Sequence, residues 1–126
     1  MGKLVRGFED LEVWQLGKQL VVLAYKLTES FPSSERYNLT GQIRRAAISV
    51  PGNIAEGYGR YHYLDKVKFY LNARGSLSET KSHLLIASEL GFVREDFLKP
   101  SFELIALLSV KLNNLITATR KTQRGK

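Results

Sequence analysis

The sequence of 126 residues contains no cysteine. That absence removes a disulfide scaffold, a thiolate zinc site and a cysteine nucleophile together. With three prolines and ten glycines, the chain is neither collagen-like nor Pro-rich. Long apolar runs are also missing. The longest, Leu20 to Tyr25, falls far short of the roughly 20 residues needed to span a bilayer. Met1 to Arg6 lacks the apolar stretch of a secretory signal. The expected location is therefore cytoplasmic, with no membrane role.

Chemistry-bearing residues are equally sparse. The two histidines, His62 and His83, sit in no triad pattern. His62 with Asp65 and Glu79 with His83 are single pairs at helical spacing, read as surface or seam contacts. Di-iron bundles carry an inward Glu-x-x-His on each of two helices, and this chain has no such spacing. Gly57-x-Gly59 follows a helical pattern and precedes no Lys-Ser/Thr, so it is not a phosphate loop. No catalytic residue, metal ligand or cofactor is expected, and no enzyme.

Apolar residues make up 44% of the chain and charged residues 25%, the composition of one globular domain. Charge is the anomaly. Lys and Arg number 19 against 12 Asp and Glu, a net +7. Residues 1–37 balance, and 82–116 are close to neutral. The excess lies in 38–81, with Arg44, Arg45, Arg60, Lys66, Lys68, Arg74 and Lys81, and in the acid-free end with Arg120, Lys121, Arg124 and Lys126. A local cationic excess is a weak footprint of a polyanion partner; a solvated surface with a basic tail produces the same count.

Four segments repeat apolar residues at helical period, and none shows sustained strand alternation. The first runs from about Leu11 to Thr28, with Asp10 as N-cap and Phe31-Pro32 as stop. The second runs from about Glu35 to Tyr58, with Ser33 or Ser34 as cap. Its stripe is Leu39, Ile43, Ala46, Ala47, Val50, Ile54 and Gly57, and Pro51 should kink it. The third spans Tyr63 to Leu90, with Gly91 as stop and Gly75 as an interior glycine that needs a packing reason. The fourth spans Phe97 to Thr119, with a break expected near Pro100. Short connections make this an all-α, antiparallel up-down-up-down four-helix bundle over residues 8–119, with 120–126 a disordered basic tail. Helices 1 and 4 carry more apolar surface than one core absorbs, which predicts self-association.

On the second helix Gln42, Arg45, Ser49, Asn53, Glu56 and Arg60 share one polar arc. The third repeats this with Asn72, Ser76, Glu79 and His83. Two such ladders can meet at a seam between helices or subunits, where Gly52, Ala73 and Gly75 would permit close approach. Glu56 and Arg60 stand at ion-pair spacing, and Asn53 or Glu56 can serve the carbonyl freed by Pro51. A structural role for this stripe outweighs a ligand groove.

Ser49-Val50-Pro51-Gly52-Asn53-Ile54-Ala55-Glu56-Gly57, followed by Gly59-Arg60, resembles the S-[IV]-P-x-N-I-A-E-G signature of the bacterial four-helix-bundle family encoded in intervening sequences of large-subunit ribosomal RNA genes. Phe8 to Trp14, Phe31-Pro32 with Glu35, Gln42 to Ala47, and Ala73 to Thr80 resemble that family too. The likeness covers about residues 8–90, and the last helix matches only in apolar character. Thr80 stands where the family usually has leucine. The resemblance implies a ring-like homopentamer, and a related accessory protein of diversity-generating retroelements that binds nucleic acid beside a reverse transcriptase.

Two functions follow. The first is a non-enzymatic oligomer that binds the RNA or DNA backbone through Arg44, Arg45, Lys66, Lys68, Arg74 and Lys81, helped by Arg120, Lys121 and Arg124. Five copies would carry about +35, enough for salt-dependent attraction to phosphate. The alternative is a protein-interaction or structural module with no nucleic-acid role. In both, Pro51, Asn53, Glu56, Gly57, Arg60, Gly75, Ser76 and Glu79 form the structural motif. Tyr58, Tyr61 and Tyr63 suit base stacking or peptide anchoring.

Overall fold

The computed structural model describes residues 4–124. Among these described residues are four α-helices, three short 3-10 turns and no strand. The helices are α1 (Glu12–Thr28), α2 (Leu39–Tyr58), α3 (Tyr63–Glu89) and α4 (Lys99–Arg124).

Cross-contacts fix the directions. Thr28 at the end of α1 bonds Arg44 near the start of α2, and Gly17 lies against Pro51 further along. Gly57 at the end of α2 meets Phe69 and Tyr70 near the start of α3. Arg74 of α3 reaches Asn113 of α4, while Lys81, further along α3, sits over Phe102, earlier in α4. Each helix packs on its predecessor, and α4 closes on α1. The result is an antiparallel four-helix bundle.

Helix starts and stops follow local chemistry, in places differently from the sequence expectation. Asp10 does not cap α1; its carboxylate accepts the Arg6 backbone N–H at 2.9 Å, and Leu11 holds the cap position. α2 begins at Leu39 rather than Glu35. Residues Ser33–Glu35 form a 3-10 turn, and Asn38 at φ −115°, ψ −110° leaves the helical path. Glu35 accepts the Leu39 N–H at 3.3 Å, serving the new helix from the preceding turn. Pro51 lies within a continuous α2. Pro100 falls in the first turn of α4, where a missing N–H breaks nothing, so α4 is unbroken there. α3 stops at Gly91, whose φ of +82° suits glycine. Phe92 N–H donates to the Ala87 carbonyl and Gly91 N–H to that of Ser88, both at 3.0 Å. This is the paired closure of a Schellman stop. α4 continues to Arg124, so Arg120 and Lys121, expected in a disordered tail, are helical. Gly125 and Lys126 lie outside the described residues.

The interior forms three apolar clusters along the bundle. The central one joins Val13 and Leu20 of α1, Val50 and Ile54 of α2, Ala73 and Leu77 of α3, and Ile105, Leu108 and Leu112 of α4. A second, at the α1–α2 connection, holds Ala24, Phe31, Ile43, Ala47, Leu84, Ala87 and Leu98. A third, at the opposite end, holds Val67, Tyr70 and Ile116. The segment 95–122 is long and apolar enough to cross a membrane by length and composition. Within it Leu98, Ile105, Leu108, Leu112 and Ile116 are buried in the bundle, while 22% of its most apolar window is buried in all and Lys111 and Arg120 lie outside the core.

Exposed apolar side chains are not confined to helices 1 and 4, as the sequence suggested. Val22 and Tyr25 of α1 and Leu107 and Val110 of α4 are exposed, yet α3 exposes Leu64, Leu85 and Ile86, and Leu90 just after it is exposed too. The stripe of α3 faces α2 and α4 at once, so its remaining apolar residues are left on the outer arc.

Candidate nucleic-acid interface

The polar ladders of α2 and α3 meet within one chain. Asn53 donates its amide to the Ser49 carbonyl at 2.8 Å and to the Ser49 hydroxyl at 2.9 Å. Ser76 donates its hydroxyl across the seam to Ser49 at 2.9 Å. Asn53 thus serves the Ser49 carbonyl, not the one that Pro51 leaves without its N–H, and Glu56 turns instead to Arg60. That pair closes at 3.1 Å with both side chains about half exposed, a geometry that contributes only a few tenths of a kcal/mol. The Arg60 guanidinium also lies 4.7 Å from the Phe69 ring centre. Glu79 and His83 approach to 3.9 Å.

Glycines divide sharply. A methyl group on Gly57 would sit 2.8 Å from a Tyr70 ring carbon, so Gly57 sets how closely α2 approaches α3. Gly17 does the same against Pro51, at 3.3 Å. Gly52 and Gly75, expected to be sites of close approach, have nothing within 4 Å. Gly75 therefore has no packing reason inside the chain.

The cations divide too. Arg44 is half-buried between α1 and α2: its Nε donates to the Thr28 hydroxyl at 2.9 Å, and its guanidinium stacks 4.4 Å from the Tyr25 ring centre. Lys66 donates to the Tyr58 carbonyl at 2.7 Å and reaches that of Gly57 at 3.5 Å. It thereby satisfies the last carbonyls of α2, where a cation also suits the helix dipole. Burial lowers the Lys66 pKa below the ordinary lysine range. Both residues hold the fold together.

Arg45, Lys68, Arg74, Lys81, Arg120 and Lys121 are exposed. Arg45 and Lys68 occupy the outer arcs of α2 and α3, apart from each other. Arg74 and Lys81 lie on the α3–α4 seam, and Arg120, seven residues beyond Asn113, shares that face of α4 by helical spacing. Arg74 donates to the Asn113 side chain at 2.8 Å, and the Lys81 ammonium lies 5.4 Å from the Phe102 ring centre. Along this edge of α3 come Leu71, Arg74, Ser78, Lys81 and Leu85; the facing edge of α4 carries Phe102, Ala106, Ser109, Asn113, Thr117 and Arg120. No acid stands on either edge between these residues, and Glu89 follows one turn beyond Leu85 on the α3 edge. Seven residues of helix rise about 10 Å, so the three cations are spaced along about 20 Å. Asn113, which orients Arg74, escaped the sequence reading because the last helix was judged by its apolar stripe alone. The Arg124 side chain lies outside the described residues.

Among the described residues no group of three or more His, Asp or Glu is placed to hold a metal ion.

The structure thus defines an antiparallel four-helix bundle with a cationic seam between α3 and α4. Residues 9–114 match the family model described as 23S rRNA-intervening sequence protein, and the chain belongs to that family. The match extends through most of α4, beyond the motifs that carry the resemblance. No curated protein matches the chain.

Proposed function

We propose that this protein is a non-enzymatic, cytoplasmic, oligomeric bundle that binds the RNA or DNA backbone along the α3–α4 seam. The observation that carries the reading is the placement of Arg74 and Lys81 on the α3–α4 seam, with Arg120 on the same face of α4 by helical spacing and no carboxylate between them. A line of about 20 Å matches roughly six phosphates of one strand at 3.4 Å each. Contacts of this kind position a backbone without reading its sequence. Exposed Leu85, Ile86 and Leu90 support self-association, and the family resemblance suggests five copies.

The test is binding of RNA and DNA by anisotropy across a salt series. Three phosphate contacts per protomer give a log–log slope of about −2 on single strands and about −3 on duplex. Binding that ignores salt contradicts the proposal. The alternative, a module docking a protein such as a reverse transcriptase, predicts no nucleic-acid binding by the isolated chain. Light scattering tests the assembly; a mass near 14.3 kDa excludes the oligomer.

A further inference from the structure

At the bundle end opposite the α1–α2 connection lies a cavity of about 290 Å³ lined by Leu11, Tyr58, Tyr61, Tyr63, Lys66, Tyr70, Leu115, Thr119 and Thr122. Four of the chain's six tyrosines meet there. They come from the end of α2, the turn after it and the first two turns of α3, which fold back on one another. Tyr70 forms the floor, 2% exposed. Tyr61 stands at the mouth, 91% exposed and edge-on to His62 with ring centres 5.1 Å apart. No acidic residue lines the cavity. Its volume lies at the small end of ligand sites, the scale of one planar ring system.

One cation, Lys66, lines the wall. Thr119 and Thr122 enter the cavity from one face of α4, and Arg120 and Lys121, between them in sequence, are exposed on other faces of that helix. Lys66 is held by the α2 carbonyls and lies 5.4 Å from the Tyr58 ring centre. It contributes positive potential to the wall while its hydrogen bonds are directed elsewhere.

We infer that this tyrosine cup receives one unpaired nucleobase of a bound strand. The inference rests on the nucleic-acid reading and deepens it. Aromatic faces accept any base, and a paired base cannot enter. The protein therefore prefers strands with unpaired ends or bulges.

The test uses the full chain, a short single strand carrying terminal 2-aminopurine, and a blunt duplex of equal length. Stacking on tyrosine should quench the 2-aminopurine. Tyr61→Ala should weaken strand binding on the order of tenfold and leave duplex binding unchanged; its exposure makes it safe for the fold. Thr119→Phe, which fills the cup from α4, should have the same effect. Equal affinity for strand and duplex, with both variants silent, overturns the cup and leaves the seam standing. Binding insensitive to Arg74→Glu with Lys81→Glu overturns the seam instead. No binding of either nucleic acid overturns both.

Discussion

The α1–α2 and α3–α4 seams each hold an arginine, to different ends. In the first, Arg44 is enclosed by Thr28 and Tyr25, and Gly17 lets the helices close until Pro51 is reached. In the second, Arg74 and Lys81 lie across the surface of the seam on Asn113 and Phe102, exposed to solvent. Each arginine donates one hydrogen bond of the five its guanidinium can make, so what separates them is access: Arg44 is half-buried between two helices, whereas Arg74 is open to solvent. Position relative to the seam, not residue type, separates structural from available charge.

The contrast can be broken at its tightest point first. Gly57→Ala places a methyl group against Tyr70, and chemical denaturation should show a loss of about 1–3 kcal/mol from overpacking. Arg44→Ala should cost about 1–2 kcal/mol, from one charge-assisted hydrogen bond and one cation–π contact. Gly75→Ala should stabilise the folded chain by about 0.5–1 kcal/mol, since the added methyl group meets nothing and removes backbone freedom from the unfolded state. If Gly75→Ala instead lowers stability in proportion to protein concentration, a second copy packs on that face. Arg74→Ala should change stability least, within about 0.5 kcal/mol, because it removes only an exposed contact.

A pH series sharpens the third cluster. Burial, with the neighbouring Tyr58, pushes the Tyr70 pKa up to about 12 from an ordinary 10.0. The folded chain then holds this proton more tightly than the unfolded one, so its contribution is intact below pH 10 and lost as pH rises toward 12. Tyr70→Phe should remove that part of the alkaline loss in denaturation measured across the window. Lys66 acts in the opposite sense: its pKa is lowered, so the cost of burying its charge is relieved as pH rises toward its unfolded value.

The helices were legible because apolar spacing repeats over three or more turns, as in Ile43, Val50 and Ile54. Their ends were less so. Glu35 reads as a first-turn residue of α2, yet the 3-10 turn and Asn38 delay the helix by four residues, and only backbone dihedrals reveal this. The ladder from Ser49 to Asn53 was visible as a shared face, but not which carbonyl Asn53 would serve. Gly75 and Gly57 look alike in sequence; only the neighbours distinguish an open glycine from a required one. For the interface, residue counting located the charge in α2, α3 and the C-terminal end. It could not separate Arg44 from Arg74, because that depends on partners 16 and 39 residues away.

The central claim is that available charge lies on the α3–α4 seam. The most direct test measures the salt dependence of RNA binding for the wild-type chain, for Arg74→Glu with Lys81→Glu, and for Arg44→Lys as the control in the closed seam. The account predicts a slope falling from about −2 toward −1 or less in the seam variant, with affinity reduced at every salt, and little change in the control. An unchanged slope in the seam variant, or an equal loss in the control, would contradict it.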